Sequence, residues 1–344
     1  ESLPFLEAIR QFSLEVGVND CMFIHLTLLP FLRASGELRT KPTQQSVGKL
    51  REIGIQPHVL ICRTEIPMEP DMAKKISLFC NVRPEAVIEE RDVAFSIYEV
   101  PLMLIESGLD QRILNHLQLV PRQKVDTSDW QRLLQVVKNP EHTVEIAVAG
   151  KYIELHDAYK SIYESLSHAG IANHCKVVLR KISAEQVANE GPDKLLAGVD
   201  GILVPGGFGE RGFEGKIASI RYARKHKIPF FGICYGMQAA VVEFARSDLG
   251  ITDATTTEYD PNAANPLIAL MEEQKLHNEK GGTMRLGAFD CAVKEGTNTH
   301  RAYGTTKVSE RHRHRFELNN AYRHRLEQAG LVMAGVNPKL DLVE

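Results

Sequence analysis

The chain has 344 residues, 43% of them hydrophobic and 25% charged, with a net charge of −3. At roughly 150 residues per domain this leaves room for about two domains, and the composition excludes a disordered, collagen-like or low-complexity chain. The near-neutral balance argues against a general nucleic-acid-binding surface, and no apolar run reaches the ~18 residues of a membrane span. The six cysteines contain no C-x-x-C pair, so neither a zinc site nor a thioredoxin-like motif is expected. Scattered single cysteines fit a reducing, cytoplasmic setting. The chain opens Glu1-Ser2-Leu3 without Met, and both ends are expected to lie inside a longer protein.

Taken in order, Phe5, Leu6, Ile9, Phe12 and Val16 recur at helical spacing, and Cys21 to Leu29 is an apolar run of strand length. A polar turn is predicted over 33–43, then a helix from about Gln44 to Ile53, a buried strand at Val59–Cys62 and a helix at Met72–Cys80. A helical stretch follows over Ile97 to Leu117. This part shows no convincing first strand. Val120 to His142 reads as a linker carrying one short helix. From Thr143 the rhythm is cleaner. Strands at Val144–Ala149, Lys176–Leu179, Gly201–Val204 and Pro229–Ile233 alternate with helices near 157–169, 184–197, 214–226 and 237–246. Apolar strands alternating with helices predict an α/β fold with a mostly parallel sheet covered on both faces. Residues 283–335 add less regular strands and a helix at Ala321–Ala329.

The most informative segment runs from Ile228 to Gln238: an apolar strand, then Gly232-Ile-Cys234-Tyr-Gly236, then a helix. G-x-C-x-G has the logic of a nucleophile elbow, in which flanking glycines admit a strained strand-to-helix turn. The positive end of the following helix favours a thiolate, and backbone N–H groups after Cys234 could stabilise an oxyanion. The plainer alternative is a small core cysteine at a strand end. One strand earlier stands Val204-Pro-Gly206-Gly207-Phe-Gly209-Glu-Arg-Gly212. Gly207, Gly209 and Gly212 match the dinucleotide fingerprint, but on the third strand of the unit rather than the first. The better reading is a loop completing an oxyanion hole; a plain tight turn is the alternative.

The remaining motifs are weaker alone. His277-Asn278-Glu279 lies in a polar stretch and reads as surface loop. Arg311-His312-Arg313-His314-Arg315 alternates so that one face carries three arginines, either a solvated face or a site for an acidic ligand. Arg39-Thr40-Lys41-Pro42-Thr43-Gln44 sets two cations beside hydroxyl and amide donors, suited to a phosphate or equally to a surface turn. Lys75 and the Arg91-Asp92-Val93 corner are unremarkable by composition.

Together these segments resemble CTP synthase, a family that joins an amidoligase domain to a class I glutamine amidotransferase domain. The matching stretches run in family order over nearly the whole chain. They include the opening Glu1 to Gln11, Arg39 to Gln44, Gly150-Lys-Tyr-Ile-Glu-Leu155, Val204 to Gly209, Gly281-Gly-Thr-Met-Arg-Leu-Gly287 and Glu310-Arg-His-Arg-His-Arg315. The resemblance implies the C-terminal part of a Rossmann-like amidoligase domain over 1–118 and a linker over 119–142. A doubly wound glutamine amidotransferase domain follows over 143–344, without its C-terminal end. It implies that Cys234 is the glutaminase nucleophile and Gly207 the oxyanion-loop glycine. Tyr235, Gly236, Met237 and Gln238 would line the glutamine site, with Glu258 and Arg313 holding glutamine. Arg39, Thr40, Lys41, Pro42, Thr43, Gln44 and Lys75 would belong to a shared UTP-substrate and CTP-inhibitor region, joined by Glu1. Arg91, Asp92 and Val93 would lie near the ATP base, and Arg211 and Arg285 in segments associated with GTP activation.

The implied reaction is ATP-dependent amination of UTP to CTP with ammonia from glutamine, assisted by Mg²⁺ and carried out by a homotetramer. No residue of this chain is expected to ligate the metal. The family's phosphate-binding loop, its lysine and two acidic magnesium ligands belong upstream of Glu1. Its base and orienting acid, in a His-Pro-Glu motif, belong beyond Glu344. The stretch by itself is therefore expected not to make CTP. The alternative is a non-catalytic relative that keeps nucleotide sites. Arg39 stands where lysine is usual and Tyr235 where leucine is common.

Overall fold

The computed structural model describes residues 2–258, 260–270 and 284–344. It divides into two compact units, Glu1–Pro140 and Glu141–Glu344. No helix among the described residues is long and apolar enough to cross a membrane.

In the first unit the strands Ile24–Leu28, Val59–Thr64 and Val87–Arg91 lie side by side in that order, all parallel. The middle strand feeds two cores by simple alternation. Leu60 and Cys62 pack with Val47, Ile76 and Cys80 on one face, and Val59 and Ile61 pack with Ile88 and Leu109 on the other.

Three expectations change here. The turn predicted over 33–43 is shorter, because the helix Lys41–Ile53 already begins at Lys41. Proline is pre-organised for a first helical turn, and the Thr43 hydroxyl donates to the Leu28 carbonyl at 3.1 Å, tying that turn to the sheet. Val87–Arg91 is a third strand that the pattern hid, since its Glu-Glu-Arg half breaks the apolar run. The helical stretch after Ile97 divides into Val100–Glu106 and Leu109–His116 at Gly108, whose φ is +74°.

The second unit is built on a four-stranded parallel sheet in the order Cys175–Ser183, His142–Gly150, Gly201–Val204, Phe230–Gly232. This is the predicted doubly wound α/β arrangement. The expected helix over 184–197 ends at Glu190, because Gly191 has φ +89° and Pro192 restarts a separate turn. The helix Phe213–His226 crosses Ala184–Glu190 so closely that a Cβ on Gly215 would stand 1.6 Å from the Ala184 carbonyl oxygen. Beyond this layer the long hairpin Arg285–Val293/Lys307–His314 is antiparallel and continues into Gly335–Asn337 and Leu342–Val343. Pro266–Leu270 pairs with Phe316–Leu318, and the helix Asn320–Gln328 matches the one predicted at 321–329 within a residue.

Candidate functional site

In a doubly wound sheet, ligands bind beyond the carboxyl ends of the strands, where the strand order reverses. In the second unit that point lies between His142–Gly150 and Gly201–Val204. Each strand there ends in a loop that bears on the site. After the first strand, the Tyr159 hydroxyl accepts from the N–H groups of Lys151 and Tyr152 at 3.1 and 3.2 Å. The Lys151 ammonium then donates to the Phe208 carbonyl at 2.6 Å, fastening the glycine-rich loop that follows the third strand.

Cys234 stands one residue beyond the fourth strand and caps the helix Tyr235–Asp248 with φ +55° and ψ −111°. A non-glycine residue with positive φ costs of order 1–3 kcal/mol and persists only where its surroundings impose it. Two glycines impose it here. A Cβ on Gly236 would stand 2.0 Å from the Val204 carbonyl oxygen, and one on Gly232 would stand 2.6 Å from the Gly236 carbonyl carbon. Both contacts are with backbone, which cannot give way. G-x-C-x-G is thus a packing requirement, and the thiol is delivered beside the Gly206–Gly209 loop. A Cβ placed on Gly206 would lie 3.7 Å from the Cys234 Sγ. Burial pushes the thiol pKa up, while the Tyr235 N–H and the nearby Lys216 ammonium pull it down.

Glu258 is brought in from a distant loop. Its Oε1 accepts from the Gly209 N–H at 2.6 Å, and the Tyr235 hydroxyl donates to the Gly209 carbonyl at 3.2 Å. Gln238 donates from Nε2 to the Phe316 carbonyl at 2.7 Å. Burial raises the Glu258 pKa, against the Gly209 N–H and the cations Lys216, Lys151 and Arg315. A small cavity of about 10 Å³ joins Gly207, Cys234, Tyr235, Gln238, Glu258 and Arg315. A larger one of about 810 Å³ opens from Cys234, Met237 and Gln238 toward Arg311 and Arg313. Gly207, Cys234, Tyr235, Gln238 and Glu258 are therefore gathered at one place, with Gly236 packed behind them. Met237 and Arg313 face the larger cavity. Arg315, rather than Arg313, shares the small cavity with Glu258.

The Arg311–Arg315 run resolves into two faces. Arg311 and Arg313 are exposed, whereas His312 and His314 turn inward. The His312 and His314 Nδ1 atoms approach to 3.3 Å, and His312 Nδ1 also lies 3.3 Å from Glu344 Oε2. Burial and Arg285 hold the His314 pKa down to about 4. Arg285 is enclosed rather than displayed at the surface. Its side chain is 2% exposed, and its guanidinium is taken by Glu317 at 2.9 Å and Glu344 at 2.6 Å. It ties the strand Arg285–Val293 to Phe316–Leu318 of the neighbouring sheet and to the residue that follows Leu342–Val343. Arg211 is exposed near Glu185, 3.6 Å away.

In the first unit, Arg39–Gln44 is tied to the carboxyl end of Ile24–Leu28 by the Thr43 hydroxyl on the Leu28 carbonyl and the Arg39 N–H on the Pro30 carbonyl, while Arg91 ends the strand Val87–Arg91 and Asp92 and Val93 follow it. Thr40 accepts from Gln44 Nε2 at 3.1 Å, and Thr43 is fully buried. Lys41 and Pro42 are exposed in the first helical turn, and Arg39 pairs with Glu37 at 3.3 Å. Arg91 pairs with Glu89 at 3.0 Å, Asp92 with Arg63 at 2.7 Å, and Val93 is half-buried. Lys75 is exposed on the helix Pro70–Cys80. Glu1 and His277–Glu279 lie outside the described residues. Among the described residues no group of three or more His, Cys, Asp or Glu side chains could hold a metal ion.

Lys216 escaped the sequence reading. It is 1% exposed, in the helix that follows the glycine-rich loop. The signal was there: Phe213, Lys216, Ile217 and Ile220 share the spacing of a buried face.

Comparison with known proteins bears on both units. Residues 1–119 match the family model "CTP synthase N-terminus", and residues 154–343 match "Glutamine amidotransferase class-I". The chain is 54% identical over its whole length to a CTP synthase of Caldanaerobacter subterraneus subsp. tengcongensis, and 52% identical to one of Cytophaga hutchinsonii. It spans 64% of the length of each of these relatives. A solved glutaminase domain of Trypanosoma brucei CTPS, with bound acivicin, is similar at 36% identity with a TM-score of 0.54. That likeness covers 58% of this chain and 78% of the other. With a class I glutamine amidotransferase domain behind part of a CTP synthase N-terminal domain, the chain belongs to the CTP synthase family.

Proposed function

We propose that the second unit releases ammonia from glutamine through Cys234, and that in the whole protein this ammonia aminates UTP to CTP at the expense of ATP. The observation that carries the reading is the Cys234 backbone, held at φ +55° between two glycines whose tightest contacts are with backbone. Its thiol sulfur attacks the side-chain amide carbon of glutamine. The carbon–nitrogen bond breaks, the thiol proton leaves with the nitrogen as ammonia, and water hydrolyses the glutamyl thioester to glutamate. Backbone N–H groups of Gly207 and Tyr235 would stabilise the oxyanion. Glu258 offers a carboxylate to the substrate ammonium, and Arg313 a guanidinium to its carboxylate. His312 and His314 face the same cavity but are engaged with each other and with Glu344, so neither is assigned as the base.

In the first unit, Arg39–Gln44 and Lys75 would hold the pyrimidine nucleotide, UTP or inhibitory CTP, together with Glu1. Arg91–Val93 would lie against the ATP base. Support comes from both segments lying at the carboxyl edge of one parallel sheet. GTP as activator, Mg²⁺ on the phosphates and a homotetramer belong to the same reading, as does a cytoplasmic setting. The residues described supply no magnesium set.

Acivicin tests the site directly. It should label Cys234 stoichiometrically, L-glutamine should protect, and Cys234→Ala should abolish labelling. Labelling that glutamine does not slow, or that falls on Cys291 instead, would overturn the reading. In the full-length protein Cys234→Ala should remove glutamine-dependent CTP formation and leave the ammonia-dependent reaction within about twofold, since ammonia bypasses the thiol.

A further inference from the structure

The buried cation beside the thiol has no counterpart in the reaction as described so far. Lys216 is almost fully enclosed, and among the described residues the hydrogen-bond acceptor of its ammonium is a backbone carbonyl, with Glu258 acting on it only as a charge. Its Nζ donates to the Pro205 carbonyl at 3.3 Å and sits 4.7 Å from the centroid of the Tyr235 ring. It would stand 3.3 Å from a Cβ on Gly207. The ammonium is therefore wedged between the glycine-rich loop and the first residue of the nucleophile's helix. A carbonyl and an aromatic face are weak compensation for an ion taken out of water, which costs several kcal/mol after relaxation. A fold keeps such an arrangement cheaply only where a negative charge arises next to it. Two negative charges arise here if the proposed function holds: the Cys234 thiolate, and then the oxyanion at the Gly207 loop.

We propose that Lys216 is the positioning residue of the thiol site: its enclosed ammonium favours Cys234 as thiolate and fixes the Pro205–Gly207 turn that receives the oxyanion. This rests on the reading of Cys234 as nucleophile and adds the source of its activation within this chain. The charges around Lys216 are consistent with the role. Cys234 and Glu258 favour the charged ammonium, Lys151 opposes it, and burial brings its pKa down to about 8. Glu258 also acts on Lys216, more weakly than Cys234 does, and its Oε1 accepts from the Gly209 N–H. Glu317, which also acts against ionisation of Cys234, is already held by Arg285. Tyr235 presents its ring, not its hydroxyl, because the hydroxyl donates to Gly209. Among the anions that act on Lys216, Cys234 is the stronger and Glu258 the weaker.

The test is the rate of alkylation of Cys234 by iodoacetamide as a function of pH, read from the mass of the Cys234 peptide. Lys216→Met keeps the length of the side chain and removes the charge, so it should fold with an unchanged or raised Tm. Its Cys234 profile should move up by about one pH unit, which slows alkylation at neutral pH about tenfold. Lys216→Arg should restore most of the rate. Superimposable profiles for the folded wild type and Lys216→Met would overturn the inference while leaving the nucleophile in place. If instead wild-type Cys234 reacts no faster than the half-buried edge-strand thiol of Cys175, the nucleophile reading falls and this one with it. A second measurement needs no substitution at Lys216. Lysine ¹³C NMR should show the Lys216 pKa falling when Cys234 is capped with iodoacetamide, and an unmoved pKa also overturns the proposal.

Discussion

Arg285 shows how far a single residue's surroundings can depend on distant parts of the chain. It sits in a string that the family resemblance ties to nucleotide activation, yet the fold closes Glu317 and Glu344 around it. Removing one member of a buried ion network leaves uncompensated charge, at about 3–5 kcal/mol. Arg285→Met should therefore lower the stability of the second unit by about that amount in urea. Burial already raises the Glu317 pKa, against Arg285. Without the guanidinium that carboxyl takes its proton at higher pH still, so the penalty should shrink between neutral pH and about pH 5. A penalty that is equal at both pH values would show that Arg285 acts by packing alone.

At the scale of elements, the glycines separate into those that close an approach and those that merely interrupt a helix. Gly236 lies against the Val204 carbonyl and Gly215 against the Ala184 carbonyl, so a methyl group at either must push two backbone segments apart. Gly236→Ala should cost several kcal/mol in denaturant and abolish acivicin labelling together, because the same displacement moves Cys234. Gly48 is the opposite case. It lies inside the helix Lys41–Ile53, where a Cβ would meet nothing within 4 Å. Gly48→Ala should stabilise the first unit by about 0.5–1 kcal/mol, the ordinary difference between these residues in a helix. A loss on Gly48→Ala in a urea titration would contradict that account. The elements that periodicity missed were short or charge-rich, such as Val87–Arg91. Helix ends moved where Pro42 or Gly191 set local geometry that hydrophobic spacing does not report.

For the whole molecule, pH is the most informative variable. Burial lowers the pKa of His25 and, aided by His116, that of His58. His314 is held near 4 by burial, Arg285 and His312. The unfolded chain protonates these groups near their ordinary values, while the folded chain stays neutral. Below about pH 6.5 the unfolded state therefore binds more protons, and stability must fall as pH drops. Glu258 and Glu317 oppose this nearer pH 5, since burial lets the folded carboxyls protonate first. Urea midpoints should thus fall between neutral pH and about pH 5.5, and His314→Asn should flatten the slope for the second unit. A midpoint independent of pH over that range would show that these imidazoles are solvated. What the sequence by itself determined was the α/β class, the alternation of strands and helices after Thr143, and the Gly232-Ile-Cys234-Tyr-Gly236 turn. Those follow from local periodicity and from steric rules that act within a few residues. What only the tertiary structure decided was which distant groups meet. It brought Glu258 to Gly209, enclosed Lys216 beside Tyr235 and turned Arg285 inward. Such burial and pairing depend on segments tens of residues apart and leave no periodic trace along the chain.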